Sequence, residues 1–261
     1  MDNRIEELTN KLESGLAGLY ETREYKKYLR AIGTFRRYSA RNIALIYLQR
    51  ENPQFVAGFN EWKKRGRFVR KGEKAIYILA PSPIKITVPV LESDGTVTER
   101  VDTIPRYRAV PVFEISQTEG DPLPQVSDRK VGPAADLICA LTKASPVPVS
   151  FGLIRAEGMY NKSGIIINPD QSPEDTIKTL AHEIAHALLH ARASDLSAQV
   201  AELEAESVAY VVASYFGIDD DSSLGYVAAW AKEETTKLFQ QSLDRIQKTA
   251  ASIIDAVEGA L

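Results

Sequence analysis

The chain is poor in the residues that build covalent or thiolate centres. Its 261 residues contain one cysteine, Cys139, which excludes an internal disulfide and a multi-thiolate metal cluster alike. Cys139 sits in the apolar pattern Leu137-Ile138-Cys139-Ala140-Leu141, which predicts a small buried core residue. Long apolar runs are missing too: nowhere do the eighteen or so apolar residues needed to span a bilayer follow one another. The opening segment Met1-Asp2-Asn3-Arg4-Ile5-Glu6-Glu7 lacks the apolar core of a secretion signal. A cytoplasmic protein with no membrane partner is therefore expected. Internal repeats and low-complexity tracts are absent as well. With 44% apolar and 26% charged residues the composition is that of a folded globular chain, long enough for two domains of ordinary size.

The net charge of −3 conceals a segregation. From Glu21 to Lys74 there are 15 Lys and Arg against 5 Asp and Glu, a balance of +10, which leaves 17 against 30, or −13, for the remainder. Such asymmetry fits a polyanion-binding module joined to an acidic body, and equally a solvated basic face.

Patterning predicts an α+β fold. Residues 2–50 read as helical, with Ile5, Leu8, Leu12, Leu16 and Leu19 at spacings of three and four, and Ser39 placed to cap Ala40 to Gln49. Short β-type runs follow at Ala75 to Leu79, Ile84 to Val88 and Val110 to Ile115, with Ser93-Asp94-Gly95-Thr96 as a hairpin turn. Turn formers concentrate in Glu119-Gly120-Asp121-Pro122-Leu123-Pro124-Gln125, which sets a boundary between residues 1–125 and 126–261. Beyond it, Val131 to Lys143 reads as helix, Val149 to Ile154 and Gly164 to Asn168 as strands, and the rest as mostly helix.

Ser172-Pro173-Glu174-Asp175 combines a capping serine, a first-turn proline and first-turn acids, so a helix is expected from Pro173 to about Ala191. All three histidines of the chain, His182, His186 and His190, fall on it. His182 and His186 lie about 6 Å apart along the axis on one face, where two imidazoles can converge on one zinc ion. Glu183 projects beside them, placed to hold a water rather than ligate. His190 lies roughly 12 Å along the axis from His182, too far to join a continuous-helix site, so the third ligand must come from elsewhere. The next helix offers Glu202, Glu204 and Glu206. Glu202 and Glu206 share a face and Glu204 points away, which reads as solvated. Glu202 is taken as the ligand and Glu206 as a hydrogen-bonding partner of a ligand histidine, the opposite assignment staying open. Manganese, cobalt or iron suit the same donors.

The run Thr179-Leu180-Ala181-His182-Glu183-Ile184-Ala185-His186-Ala187-Leu188-Leu189-His190, with Glu202-x-x-Ala205-Glu206 after it, resembles the gluzincin site of ImmA/IrrE-type metallopeptidases. The resemblance spans roughly Val149 to Ser214. It implies a zinc held by two histidines and one glutamate, with Glu183 as the catalytic acid/base. Peptide hydrolysis by zinc-activated water is the expected reaction, and Gly164 to Asn168 the expected edge strand for an extended substrate. Tyr160, Tyr210 and Tyr226 are the candidates to stabilise the oxyanion.

Between Tyr25 and Lys74 basic residues alternate with aromatics, as in single-strand binders whose cations track phosphates while aromatic faces stack bases. Aromatics at helical spacing also serve as core, and Lys and Arg runs as solvated faces. The order of residues adds a resemblance: Tyr38-Ser39-Ala40-Arg41-Asn42, Gly58-Phe59-Asn60-Glu61-Trp62-Lys63, Gly66-Arg67-x-Val69-x-Lys71-Gly72-Glu73-Lys74-Ala75-Ile76 and Val112 to Gly120 are similar to the N-terminal domain of ArdC-type antirestriction proteins. It covers about residues 5–125 and implies a single-stranded-DNA-binding domain ahead of a zincin-like metallopeptidase domain. Arg37, Tyr38, Arg41, Asn42, Trp62, Lys63, Arg67, Lys71 and Lys74 are then the expected DNA contacts, although Trp62 also suits a core and Asn42 a cap or buried hydrogen bond. Three functions follow: a DNA-binding zinc peptidase of antirestriction type, a regulatory protease cleaving a repressor, and a single-strand-coating protein whose metal is structural.

Overall fold

The α+β expectation holds: helices dominate and, among the described residues, the strands gather into four small sheets. The computed structural model describes residues 3–18, 22–91, 93, 96–123, 132–191, 196–218 and 236–261. The helices are α1 (Asn3–Gly18), α2 (Thr22–Thr34), α3 (Ala40–Gln49), α4 (Phe59–Lys64), α5 (Ala134–Ala144), α6 (Pro173–Leu189), α7 (Ala198–Tyr215) and α8 (Thr236–Ala260). Caps set the ones that matter most. Ser39, Ser172 and Ser197 each hold an extended backbone and accept from the third residue beyond, at Asn42, Asp175 and Val200, which fixes where α3, α6 and α7 begin.

In the N-terminal half, β1 (Val56–Ala57), β6 (Tyr107–Glu114) and β3 (Ile76–Pro81) form an antiparallel sheet in the order β1-β6-β3. The outer edge of β3 is met by side chains of α3. Asn42 donates to Leu79 O and accepts from Leu79 N, both at 2.9 Å, and Gln49 does the same to Tyr77 at 2.8 and 3.0 Å. Two amides thus imitate a strand and satisfy an edge that would otherwise be open. Nearby, β2 (Arg67–Val69) pairs with β7 (Thr118–Gly120), and α4 packs on β2 with Trp62 fully buried. A separate hairpin, β4 (Ile84–Leu91) with β5 (Val97–Ile104), pairs with itself alone among the described residues, leaving Leu91, Val97 and Val101 exposed. Asp94 and Gly95 of its expected turn lie outside the described residues, as do Pro124 and Gln125 of the expected linker, whose Glu119 and Gly120 belong to β7.

In the C-terminal half, α6 packs against α7 and α5, and α8 closes over α5 and α7. Leu180, Ala181, Ile184 and Ala185 of α6 are buried, as are Ala205, Val208, Ala209 and Val212 of α7, and the alanines among them let the two helices approach closely. A sheet in the order β8-β10-β9, from Val149–Phe151, Gly164–Ile167 and Gly158–Asn161, lies along α6. Strand β9 escapes sequence reading because Gly158-Met159-Tyr160-Asn161 shows no alternation of apolar and polar residues. Cys139 corrects expectation: α5 buries Leu137, Ala140 and Leu141, one step around the helix, and turns Cys139 to solvent.

The two halves share one apolar core. Helix α2 packs on α7, where the buried Tyr25 hydroxyl and Ser207 Oγ are 2.8 Å apart. Arg36 reaches Asp255 at 2.9 Å and Glu258 at 2.6 Å on α8. No helix among the described residues is long and apolar enough to cross a membrane.

Candidate metal centre

Three donors converge where α6 passes α7. His182 and His186, one turn apart, bring their Nε2 atoms to 3.0 Å. Glu202 of α7 places Oε2 3.5 Å from His182 Nε2 and Oε1 3.4 Å from His186 Nε2. One donor atom from each lies within 4.8 Å of the others. Burial pushes the His182 pKa down to about 4, His186 beside it adding to the effect, and burial also lowers that of His186. Both rings are thus neutral near pH 7, the form that donates to a metal. Two facing imidazoles and a carboxylate fit a divalent ion such as zinc or manganese.

Glu183 stands beside this trio, nearly buried. Burial raises its pKa to about 7, Glu202 adding to the rise, while a hydrogen bond from the Tyr160 backbone opposes it. A carboxyl poised there can both take and return a proton near neutrality. Its position depends on Gly158. A Cβ there would come within 2.5 Å of Thr179 Cγ2 and 2.9 Å of both Glu183 Cγ and Oε1, so only glycine lets β9 lie this close to α6. The cleft, about 530 Å³, is lined by Gly158, Thr179, His182, Glu183, Glu206 and Tyr210 among others. Of the tyrosines considered for an oxyanion, Tyr210 lines this cleft, Tyr160 touches Glu183 through its backbone, and Tyr226 lies outside the described residues.

Several expectations need correction. Gly164–Ile167 is the central strand, paired parallel to β8 and antiparallel to β9, so the strand edge beside α6 is β9. Glu206 lines the cleft, its pKa raised first by burial and then by Glu202, but among the described residues it is His190 that meets ligand His186, at 3.1 Å between Nδ1 atoms. Glu204 is not solvated. Its side chain is fully buried, faces His190 Nε2 at 3.3 Å and is gripped by both ends of the Arg245 guanidinium. It points away from the metal centre, as helical geometry dictates, but toward α8 rather than water. Burial pushes its pKa up, yet the hydrogen bonds of His190, Arg245 and Ser242 outweigh that and hold it below the usual range.

The expected DNA contacts divide in two. Arg37, Arg41, Lys63, Lys71 and Lys74 are exposed. Four others are committed to the fold. Trp62 is buried and donates Nε1–H to Phe113 O at 2.9 Å, so its ring is closed to a base. Asn42 is occupied by Leu79, the half-buried Tyr38 donates its hydroxyl to Val56 O at 2.9 Å, and Arg67 bonds Thr118 Oγ1 at 2.8 Å and Thr118 O at 3.1 Å. Within the basic stretch from Tyr25 to Lys74, the described aromatics left open are Phe59 and Phe68, 55% and 51% exposed, with Lys63 one turn after Phe59 on α4. Exposure this high for phenylalanines amid basic residues was the missed signal, and only the tertiary structure supplies it.

A histidine-bearing helix, a second helix giving a carboxylate and a small sheet alongside define an α+β unit with a candidate metal centre. Residues 150–227 match the family described as the IrrE N-terminal-like domain, a peptidase family, and residues 1–113 match the N-terminal domain of anti-restriction factor ArdC. The two matches follow one another along the chain, the ArdC-type one first and the IrrE-like one after it. Two crystal structures of the antirestriction ArdC protein from the R388 plasmid, metal-free and Mn(II)-bound, share its fold with a TM-score of 0.55 at 21% identity, over 85% of this chain and 85% and 84% of theirs. An uncharacterized protein of Bacillus anthracis is 26% identical over 275 residues, covering 86% of this chain. The chain spans about half of that relative's length, 46%.

Proposed function

We propose that the chain is a cytoplasmic, DNA-binding metallopeptidase with an antirestriction role, its DNA-binding unit within residues 1–125 and its peptidase unit within 126–261. The observation that carries the reading is the buried Glu183 carboxyl, tuned to about pH 7 beside the His182, His186 and Glu202 trio. A zinc ion held by that trio would polarise the scissile carbonyl and acidify the attacking water. Glu183 accepts the water proton on its carboxylate and delivers it to the departing amine. The edge of β9 that is unpaired among the described residues aligns an extended peptide by main-chain hydrogen bonds, with Gly158 allowing the close approach. In the other unit, Arg37, Arg41, Lys63, Lys71 and Lys74 neutralise phosphates, while Phe59 and Phe68 offer faces on which single-stranded bases stack. Entering single strands would then hold the peptidase where defence proteins act, a role suggested by the ArdC-type domain and by the likeness to the antirestriction protein of R388.

The test compares wild type with Glu183→Gln at equal metal content, reading cleavage of a protein mixture and binding of a single-stranded oligonucleotide. Cleavage falling on the order of 10²- to 10⁴-fold in the variant, with DNA binding unchanged, supports the proposal. Indistinguishable behaviour of the two proteins makes the metal structural and the chain a binding protein.

A further inference from the structure

One set of buried and half-buried polar groups lies behind the candidate metal centre and takes no part in the chemistry above. Glu204 is fully buried, and its carboxylate faces Arg245 of α8 and Nε2 of His190 at 3.3 Å. His190 Nδ1 in turn lies 3.1 Å from Nδ1 of His186. The direction of each hydrogen bond follows from the acceptor at the end of the chain. An ionised carboxylate only accepts, so His190 must donate from Nε2. With His190 neutral and donating from Nε2, its Nδ1 accepts, and His186 donates from Nδ1. His186 Nε2 is then left with its lone pair, directed at His182 and Glu202.

We infer that His190, Glu204 and Arg245 form a positioning relay that fixes the tautomer of His186 and turns its Nε2 lone pair toward the metal. The relay spans three elements, since α6 carries His186 and ends on His190 as its C-cap, α7 carries Glu204 and α8 carries Arg245. The C-terminal helix therefore acts on the metal centre without touching it. Arg245 also donates to Ser242 Oγ at 3.0 Å, which holds its guanidinium in place over Glu204. The inference rests on the metal-site reading of the previous subsection, but the tautomer it predicts is present without metal.

The experiment uses the full chain. Long-range 1H–15N spectra of the metal-free protein should show His186 protonated at Nδ1, and zinc affinity is measured by competition with a chromophoric chelator. His190→Phe should release His186 to the Nε2–H form that free imidazole side chains prefer, and weaken zinc binding about 10- to 100-fold. His190→Gln, whose amide can accept from His186 and donate to Glu204, should recover part of the affinity. Glu204→Gln leaves Arg245 facing an uncharged group and can destabilise the fold. The paired change Glu204→Leu with Arg245→Met removes both charges at similar volume, and should lose the tautomer bias while staying folded. If His190→Phe and the paired variant keep the Nδ1–H form of His186, the relay is refuted, whatever the metal affinity. If wild type shows that form and binds no zinc, the relay stands and the metal-site reading fails.

Discussion

The two halves of the molecule spend their polar side chains in opposite ways. In the C-terminal half, His182, His186, Glu202 and Glu183 converge on one cleft, and the buried groups behind them are paired, Glu204 with Arg245 and His190. In the N-terminal half the exposed cations are spread over the α2–α3 turn, α3, α4 and the β2–β3 turn, while the half-buried Asn42 and Gln49 and the buried Trp62 bond to backbone. Convergence shifts pKa values and fixes lone pairs, which is what chemistry at one bond requires. Distribution does neither, but suits a polyanion contacted at many phosphates. Both halves share one core, so each can be perturbed through the other.

The largest effect expected in the N-terminal half is on stability. Trp62→Ala opens a cavity beside Phe55 and leaves Phe113 O without its partner, and should cost about 3–5 kcal/mol in a denaturant titration. Trp62→Phe keeps most of the packing and should cost about 1–3 kcal/mol. Single-strand affinity of the folded fraction should be unchanged in both; a loss of DNA binding in folded Trp62→Phe would return Trp62 to the interface. In the other half, Gly158→Ala forces β9 away from Thr179 and Glu183, costing about 1–3 kcal/mol. Its proteolysis should fall further than its zinc affinity, because the clash involves Glu183 and spares the ligands.

Smaller effects follow where contacts are distributed. Phe59→Ala and Phe68→Ala should each weaken single-strand binding by about 1–3 kcal/mol with little change in stability, as both rings face solvent. Smallest is Lys63→Ala, which should lower the slope of log affinity against log salt by about 0.7 and leave sequence preference alone. A large, sequence-dependent loss on removing Lys63 would mean that the basic half also converges on a point.

The grouping of His182 and His186 in the candidate metal centre was legible because helical periodicity alone places residues four apart on one face, and the capping serines at 172 and 197 mark where both helices start. The direction of Glu204 was legible for the same reason. What it meets was not, since Arg245 lies 41 residues further along and nothing local announces the pairing. In the basic half, composition suggested a surface while burial decided which residues could belong to it. Trp62 and Phe59 sit three positions apart on one short helix, and packing against β2 sends the first into the core and the second to solvent. The short strands β1, β2, β7 and β9 carry too few residues to show alternation, so β9, and with it the edge beside Glu183, emerged only from the fold.

The most direct test of the central claim is a zinc titration of the metal-free chain, read by competition with a chromophoric chelator. The structure predicts one equivalent bound by wild type and none by His186→Ala, with Glu202→Ala much weakened. One equivalent bound equally by wild type and by the double variant His182→Ala, His186→Ala would place the metal elsewhere and contradict the account.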